Sequence, residues 1–314
     1  VTIPANACNP GSEGEGGGSG GGGGSGEPDD TDGDGVPDTE DDYPDDAERA
    51  FNNYYPNEHD FGTFAFEDLW TNKGDYDFND LVLDFQYKIV TNSDNLIVDI
   101  IMKTHVKAAG ATLNNGFGIS IPVAPANCGN VSGYEHATNN LDINPAGYEN
   151  GHTDHTVVIL YDAINTIYGS PYFNTVPGGN RVETDTITVT AYFDNPQLAM
   201  GQEPYNPFIY AGQDRGREIH LVDNPPTDLV NMDYFGSDDD DSRPGSDRWY
   251  VTPNNLPWAV EIPSSFDYPV ESVDIVDAYL KFAEWAESSG AVYSDWYLDE
   301  PAYRNEENIY SAQQ

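Results

Sequence analysis

Two acidic stretches combine residue types and spacings that suit a hard metal ion. The first, EPDDTDGDGVPDTEDDYPDD, spans residues 27–46. Acids stand at positions 1, 3, 5, 9 and 12 of a twelve-residue loop, a glycine at position 6, and a main-chain carbonyl is free at position 7. This spacing predicts a Ca²⁺ loop, because alternate residues can wrap one ion while the glycine allows a sharp turn. The predicted ligands are Asp30, Asp32, Asp34, the carbonyl of Val36, Asp38 and Asp41.

The second stretch is GDYDFND, residues 74–80. In an extended loop its alternation would place oxygen-bearing side chains on one side and Tyr76 and Phe78 on the other. One side could then gather ligands while the other packs into a core. We therefore expect a second Ca²⁺ site, with an acid-rich polar turn as the alternative. Its predicted ligands are Asp75, Asp77, Asn79 and Asp80.

The net charge of the chain limits the classes of molecule that it can bind. The 314 residues include 12 Lys and Arg against 55 Asp and Glu, a formal net charge of −43. Nucleic acids and anionic membrane surfaces both require a basic face, so we expect neither as a partner. The excess of acids instead favours neutralisation by divalent cations or adaptation to salty water. The chain begins at Val1 without an initiator Met, and we expect it to be a processed mature form.

Two cysteines, Cys8 and Cys128, are far apart in the sequence. In an exported protein such a pair indicates one disulfide, whereas in the cytosol it would indicate two unrelated buried thiols. We expect the disulfide, which would attach the N-terminal segment to the main body.

The rest of the chain predicts an all-β fold. β-branched and aromatic runs alternate with Gly, Pro, Asn and Asp, a pattern typical of a β-sandwich, jelly-roll-like, with long loops. We expect strands at residues 62–68, 81–91, 96–108, 116–123, 156–163, 184–194, 218–222 and 258–262. One C-terminal α-helix is expected over residues 273–288, capped by Ser272 and ended by Gly290.

This pattern divides the chain into three parts. Residues 1–26 form an N-terminal segment and a Gly-rich tether, and residues 27–49 form the acidic loop. Residues 50–314 form the sandwich, with a helix-containing C-terminal part from about residue 195 that either continues the sandwich or forms a separate domain.

The order of these motifs resembles the LruC-domain proteins of bacterial outer surfaces. The chain carries DTDGDGVPD, similar to a thrombospondin type 3 repeat, then FEDLW and KGDYDFNDLV, GREIHLVDNPPTDLVN and LPWAVEIP. The segment FDYPVESVDIVDAYLKFAEWAESSG looks like the C-terminal domain of unknown function associated with LruC. The resemblance covers residues 29–298. It implies export, a β-rich fold and Ca²⁺ binding, but no reaction.

Three further sequence features give weaker signals, and each of them allows two interpretations. The acidic run 238–241, with Asp247, is either a cation site or a solvated loop neutralised by Arg243 and Arg248. His152 and His155 favour a polar loop entering a strand over a metal site, since no HExxH arrangement surrounds them. Several aromatic residues near loops could stack on sugars or pack into the core: Tyr54, Tyr55, Tyr205, Tyr210, Trp249, Tyr250, Trp296 and Tyr297.

We expect no enzyme, because the sequence has no GxSxG elbow, no Cys–His nucleophile pair and no phosphate-binding glycine loop. The predicted function is that of an exported, calcium-binding structural or adhesive protein of the bacterial surface or extracellular matrix. It would bind other copies of itself, forming a fibre, and deletion of residues 1–26 should then abolish polymers. The alternative is a monomeric Ca²⁺-dependent adhesin that binds a surface glycan or peptide, and a glycan hydrolase is less favoured.

Overall fold

A computed structural model of the protein describes residues 28–198 and 203–311. The predicted N-terminal segment, its Gly-rich tether and Cys8 lie outside these residues. The strands are β1 Phe51–Tyr55, β2 Gly62–Phe66, β3 Leu81–Thr91, β4 Ile97–Gly110, β5 Gly116–Ile121, β6 Asn130–Ser132, β7 Thr156–Tyr161, β8 Tyr172–Phe173, β9 Ile187–Gln197, β10 Asn206–Tyr210, β11 Glu218–His220 and β12 Ala259–Ile262. The helices are α1 Ile164–Tyr168, α2 Ile275–Ala278 and α3 Phe282–Glu287. No helix in the described parts of the chain is long and apolar enough to cross a membrane.

These strands form two antiparallel sheets that pack face to face, which confirms the predicted sandwich. The first sheet has the order β12-β2-β3-β4-β9-β6. Strand β1 pairs with the C-terminal half of β3, and β8 pairs with the C-terminal end of β4. The second has the order β11-β10-β5-β7. Alternate residues of β3 point between the sheets, as the two-residue period of a strand requires. Phe85 of β3, for example, stacks on Phe64 of β2 with ring centroids 3.9 Å apart.

A second core lies on the outer face of the first sheet. Ala65, Val82, Ala108 and Val260 point outward there and are covered by aromatic residues of two other segments. One segment is the 67–80 loop, and the other is the C-terminal part from residue 266. The buried aromatic residues of this core are Tyr76, Phe78, Phe266, Tyr268, Tyr279, Phe282 and Trp296. The C-terminal part therefore covers one end of this face.

The expected single C-terminal helix is two short helices in the structure. Asp274, rather than Ser272, caps the first helix by accepting a hydrogen bond from the Val276 N–H. Helix α2 ends where Tyr279 adopts an extended backbone, and Leu280 N donates to Tyr303 O at 2.6 Å. This pairing with the chain end interrupts the helix before α3 begins. The apolar periodicity of residues 275–286 gave no sign of this contact.

Cys128 is a buried free thiol within the described residues. Its Sγ lies 3.9 Å from the carbonyl of Tyr192. Burial, with a smaller contribution from the Asp194 carboxylate, raises the pKa of this thiol to about 11. Because Cys8 lies outside the described residues, the Cys8–Cys128 disulfide stays a prediction.

Candidate metal centres

The hairpin formed by β2 and β3 brings together acids that are far apart along its loop. Phe66 pairs with Leu81 at the end of the ladder, so residues 67–80 form the connection. Glu67 and Asp68 leave β2 where Asn79 and Asp80 enter β3. The pairing of the two strands therefore places Glu67 close to the acids of the GDYDFND stretch.

Glu67, Asp75 and Asp77 form the acidic cage, in which one oxygen of each lies within 4.8 Å of the others. Glu67 and Asp77 are buried and Asp75 is exposed. Glu67 Oε1 accepts a hydrogen bond from Phe78 N at 2.5 Å, while its buried Oε2 has no hydrogen-bond partner. Asp77 accepts from Asn79 N at 3.1 Å and from Ser272 N at 2.7 Å. The C-terminal segment thus closes one side of the cage.

Two aromatic residues hold the cage loop in an unusual backbone conformation. Tyr76 and Phe78 have φ values of 62° and 52°, in the left-handed region that bulky side chains rarely adopt. Such conformations cost about 1–3 kcal/mol each and persist only where the surroundings enforce them. Here both rings are buried against Phe282, and Tyr76 Oη donates to Pro257 O at 2.7 Å. The second core therefore stabilises the loop that positions the cage acids.

The electrostatics of the acidic cage favour a cation. Burial, together with the nearby Asp80 and Asp77 carboxylates, raises the pKa of Glu67 well above its usual range. Burial and the neighbouring Asp75 raise the pKa of Asp77 to about 7. The Lys73 ammonium lies nearby, but it contacts Asp274 at 2.8 Å. Carboxylates packed this closely repel one another unless they are protonated or share a positive ion.

The other two predicted ligands of this stretch take different positions. Asp80 accepts a hydrogen bond from Asp68 N at 2.7 Å, and its carboxyl also contacts that of Asp68. Burial and the Asp68 charge raise the pKa of Asp80 well above its usual range. The Asn79 side chain lies beside Gly110 and donates to Pro269 O at 3.2 Å. The loop thus distributes the four predicted residues over three places.

The predicted 30–41 loop places three of its acids together. Oxygens of Asp30, Asp32 and Asp34 lie within 4.8 Å of one another. Asp32 and Asp34 each use one oxygen to accept from a loop N–H, at 3.1 and 2.8 Å, while their other oxygens are buried without a partner. Asp30 accepts from Gly33 N and Gly35 N, and both glycines have positive φ. The turn therefore directs carboxylate oxygens inward, as a cation loop requires.

The remaining predicted ligands of this loop divide into two roles. Asp41 Oδ2 is buried without a hydrogen-bond partner, and partial burial together with Asp34 and Asp32 raises the pKa of Asp41. The carbonyl of Val36 accepts no hydrogen bond among the described residues, so it is available as a ligand. Asp38 instead accepts from Thr31 N and Oγ1, both at 2.7 Å. Asp38 fixes the loop's shape in this arrangement.

The weaker candidate sites have local partners. In the 238–241 run, Asp238 accepts from Thr71, Asp239 from Lys73 N, and Asp240 from Gly236 N and Ser242. Asp241 contacts Arg243 at 2.8 Å and Arg248 at 3.2 Å. His152 contacts Glu149, and His155 contacts Ser120. These contacts favour a hydrogen-bonded acidic loop and polar histidines over two further metal sites.

Sequence reasoning missed Glu67 and Glu271 because neither belongs to a spaced acidic motif. Glu67 could have been found from the hairpin, since the residue after β2 must lie near the residue before β3. Glu271 lies far along the chain, and its side chain is brought to the cage loop by the C-terminal segment. No local pattern in the sequence indicates that contact.

The fold and the acidic cage define an all-β sandwich protein with a candidate cation centre. A family model described as a domain of unknown function, DUF4842, matches residues 95–297, and the chain belongs to this family. The matched residues include Gly110 and Glu271 but neither acidic loop. This family match begins at residue 95. The LruC resemblance placed a domain of unknown function only in the C-terminal segment, which begins much later in the chain. The LruC assignment itself stays a prediction.

Among solved structures, the chain is similar to the 2.08 Å crystal structure of a protein named "Putative lipoprotein" from Bacteroides ovatus. The TM-score is 0.60 at 18% identity, over 83% of this chain and 76% of that chain. At this identity the similarity concerns the fold alone. No curated protein matches the chain.

The raised pKa of Asp77 predicts how stability depends on pH without cations. Because its folded-state pKa of about 7 exceeds its ordinary 3.8, Asp77 contributes full stability below pH 4, which is lost as pH rises through 7. With chelator, the melting temperature of the wild type should therefore fall more between pH 5 and 8 than that of Asp77→Asn. Saturating Ca²⁺ should remove this excess fall. Equal pH slopes for wild type and variant in chelator would contradict the prediction.

Proposed function

We propose that the protein is a Ca²⁺-stabilised structural or adhesive protein exported to the bacterial surface or matrix. The observation that carries the proposal is Glu67, a fully buried carboxyl whose Oε2 lacks a partner while oxygens of Asp75 and Asp77 lie within 4.8 Å. An unpaired buried charge is among the most costly features of a folded protein. A bound cation would remove that cost.

The donor set supports Ca²⁺ over transition metals. Both acid clusters offer carboxylate oxygens, with no histidine or cysteine among the grouped residues. Such hard ligands suit Ca²⁺ and Mg²⁺, whereas imidazole and thiolate suit Zn²⁺ or Cu²⁺. Three protein carboxylates around one position suit Ca²⁺ better than Mg²⁺, which keeps several waters and usually binds one or two carboxylates.

A cation in the cage would join two parts of the fold. The 67–80 loop already contacts the C-terminal segment through Ser272, whose N–H donates to Asp77 and whose hydroxyl donates to Asp75 at 3.3 Å. Ile275 N also donates to Tyr76 O at 2.8 Å. By neutralising the cage acids, the ion would stabilise the loop and the segment packed on it.

Catalysis by the same acids is less well supported. Raised carboxyl pKa values also occur at catalytic sites, where an acid must stay protonated. Here Glu67, Asp77 and Asp80 are buried, and Asp75 alone is exposed. A saccharide could not place a glycosidic bond between two of these carboxyls without opening the loop. A turnover assay on glycans tests this part of the proposal.

Export is proposed from the motif resemblance, and a calcium-stabilised fold would suit the extracellular space, where modules with millimolar-range calcium sites are typical. The name of the Bacteroides ovatus relative is compatible with a surface location. Self-assembly into a fibre stays a prediction, because residues 1–26 lie outside the described residues.

Substitution of the buried cage acid tests the proposal. Glu67→Gln keeps the side-chain shape and the acceptor for Phe78 N but removes the charge. In chelator the variant should be as stable as the wild type or more so, because a buried repulsive charge is gone. With Ca²⁺, the free energy of unfolding of the variant should lack the contribution from ion binding in the cage. That contribution is about 2.7 kcal/mol at a Ca²⁺ concentration 100 times Kd. Denaturant unfolding with and without Ca²⁺ measures both effects.

The matched control is Glu58→Gln, an exposed acid outside both loops. This variant should keep the full Ca²⁺ response. The proposal is wrong if Glu67→Gln keeps the wild-type response to Ca²⁺, or if it unfolds more easily than the wild type in chelator.

A groove on the open part of the first sheet favours a second candidate function, the binding of a short acidic oligosaccharide. The groove has a volume of about 340 Å³, and no carboxylate lines it. Its lining residues are Tyr54, Gln86, Lys88, Ile101, Lys103, Thr188 and Thr190. The other three lysines, Lys73, Lys107 and Lys281, contact carboxylates. Within the described residues, Lys88 and Lys103 have no such ion pair.

These residue types suit an acidic sugar. Lys88 and Lys103 could pair with carboxylates, the threonine hydroxyls could bind sugar hydroxyls, and the Tyr54 ring could stack on a pyranose face. The net negative charge opposes long anionic polymers, but distant charges are screened beyond about 8 Å at physiological salt. A short uronate-containing oligosaccharide is therefore the ligand that the groove fits best.

A glycan array with purified protein and Ca²⁺ tests this second function. The double variant Lys88→Gln/Lys103→Gln should lose binding to uronate-containing oligosaccharides by roughly a hundredfold or more, since each of the two lost charge-assisted hydrogen bonds contributes about 1.5–3 kcal/mol. Lys281→Gln, which lies outside the groove, is the control and should bind normally. Equal binding by the double variant and the wild type would exclude the groove as the site.

A further inference from the structure

Two buried oxygens beside the acidic cage also lack hydrogen-bond partners. One is Oδ1 of Asn79, whose side chain is fully buried, and the other is Oε2 of Glu271. Both oxygens point to the same place at the end of β4. A Cβ on Gly110 would lie 2.8 Å from Glu271 Oε2 and would overlap Asn79 Oδ1. A side chain at Gly110 would therefore collide with both oxygens.

The Asn79 side-chain nitrogen and the Glu271 carboxyl both have other partners, which limit where the two oxygens point. Asn79 Nδ2 donates to Pro269 O at 3.2 Å. Glu271 N donates to Thr175 O at 3.0 Å, and the Thr175 side chain hydrogen-bonds the Glu271 carboxyl. Asn79 cannot turn its unpartnered oxygen to another donor without breaking the contact with Pro269.

The two oxygens come from different parts of the chain. Asn79 lies one residue before the end of the 67–80 loop, Gly110 ends β4, and Glu271 belongs to the C-terminal segment. The main-chain oxygen of Asn79 also lies 3.0 Å from the position of a Gly110 Cβ. An amide oxygen, a carboxylate oxygen and a carbonyl oxygen thus lie close together beside Gly110, and oxygens of these three kinds are typical Ca²⁺ ligands.

A bridging water is the alternative occupant, since a buried water can hydrogen-bond two acceptors. The number of acceptors at the site favours a cation over water. A water molecule donates at most two hydrogen bonds and would leave one of the three oxygens without a partner, whereas a divalent cation can contact all three and neutralise the Glu271 carboxylate.

We propose that Asn79 and Glu271 form a second cation position beside the acidic cage, which binds Ca²⁺ and makes attachment of the C-terminal segment to the sheet cation-dependent. This inference rests on the proposed function, since it assigns an additional ligand set to the same calcium-stabilised region. It differs from the cage in using a residue of the C-terminal segment and an uncharged amide.

Native mass spectrometry of the full chain, stripped by chelator and then titrated with Ca²⁺, tests the inference by counting ions. The wild type should bind three ions, one in the 30–41 loop, one in the cage and one at Asn79 and Glu271. Glu271→Gln should bind two. Gly110→Ala should also bind two, because the added methyl group would displace Asn79 Oδ1 without changing any charge. Glu300→Gln, an exposed acid of the same C-terminal part, should bind three.

Folding is checked by thermal unfolding of each variant in chelator, and Glu271→Gln carries the test if Gly110→Ala does not fold. Three ions on Glu271→Gln with wild-type affinity would overturn the second position. The second position would also be overturned if the wild type bound two Ca²⁺ ions in total and Glu67→Gln and Glu271→Gln each removed the same ion. That result would show one shared site. Undiminished binding by Glu67→Gln would instead contradict the proposed function.

Discussion

The cost of burying carboxylates without a positive partner is the constraint on which this structure depends. Glu67 is fully buried with one oxygen unpartnered, and Asp77 is buried beside it. Removing an ionised carboxylate from water costs several kcal/mol even after the surroundings relax. The chain has 12 basic residues for 55 acids, so protein cations cannot neutralise every cluster. In our account divalent cations supply the missing charge, and folding and ion binding are coupled.

The surrounding architecture holds the cage acids in place. The pairing of β2 with β3 places Glu67 opposite the end of the 67–80 loop. Tyr76 and Phe78 hold the backbone of this loop in a strained conformation. Their rings form part of the second core with Phe282. Rigid aromatic packing therefore provides the preorganisation that a binding site needs. The same core attaches the C-terminal segment, which in turn donates to Asp77 through Ser272.

The sequence predicted the sandwich and part of the site well, for physical reasons. Strand periodicity is local, so the long strands β3 and β4 were found almost to their ends. The twelve-residue spacing of the 30–41 loop is also local, and the structure brings Asp30, Asp32 and Asp34 together. Contacts between distant segments could not be predicted in this way. Glu271 approaches Asn79 through tertiary packing, and pairing of Leu280 with Tyr303 divides the C-terminal helix in two.

A crystal structure grown with Ca²⁺, with anomalous scattering recorded at long wavelength, would show whether a cation occupies the acidic cage. We expect an anomalous peak there, with oxygens of Glu67, Asp75 and Asp77 at about 2.3–2.6 Å from it. The 30–41 loop serves as an internal reference for occupancy. A peak in that loop with water alone in the cage would contradict the claim that a cation neutralises Glu67.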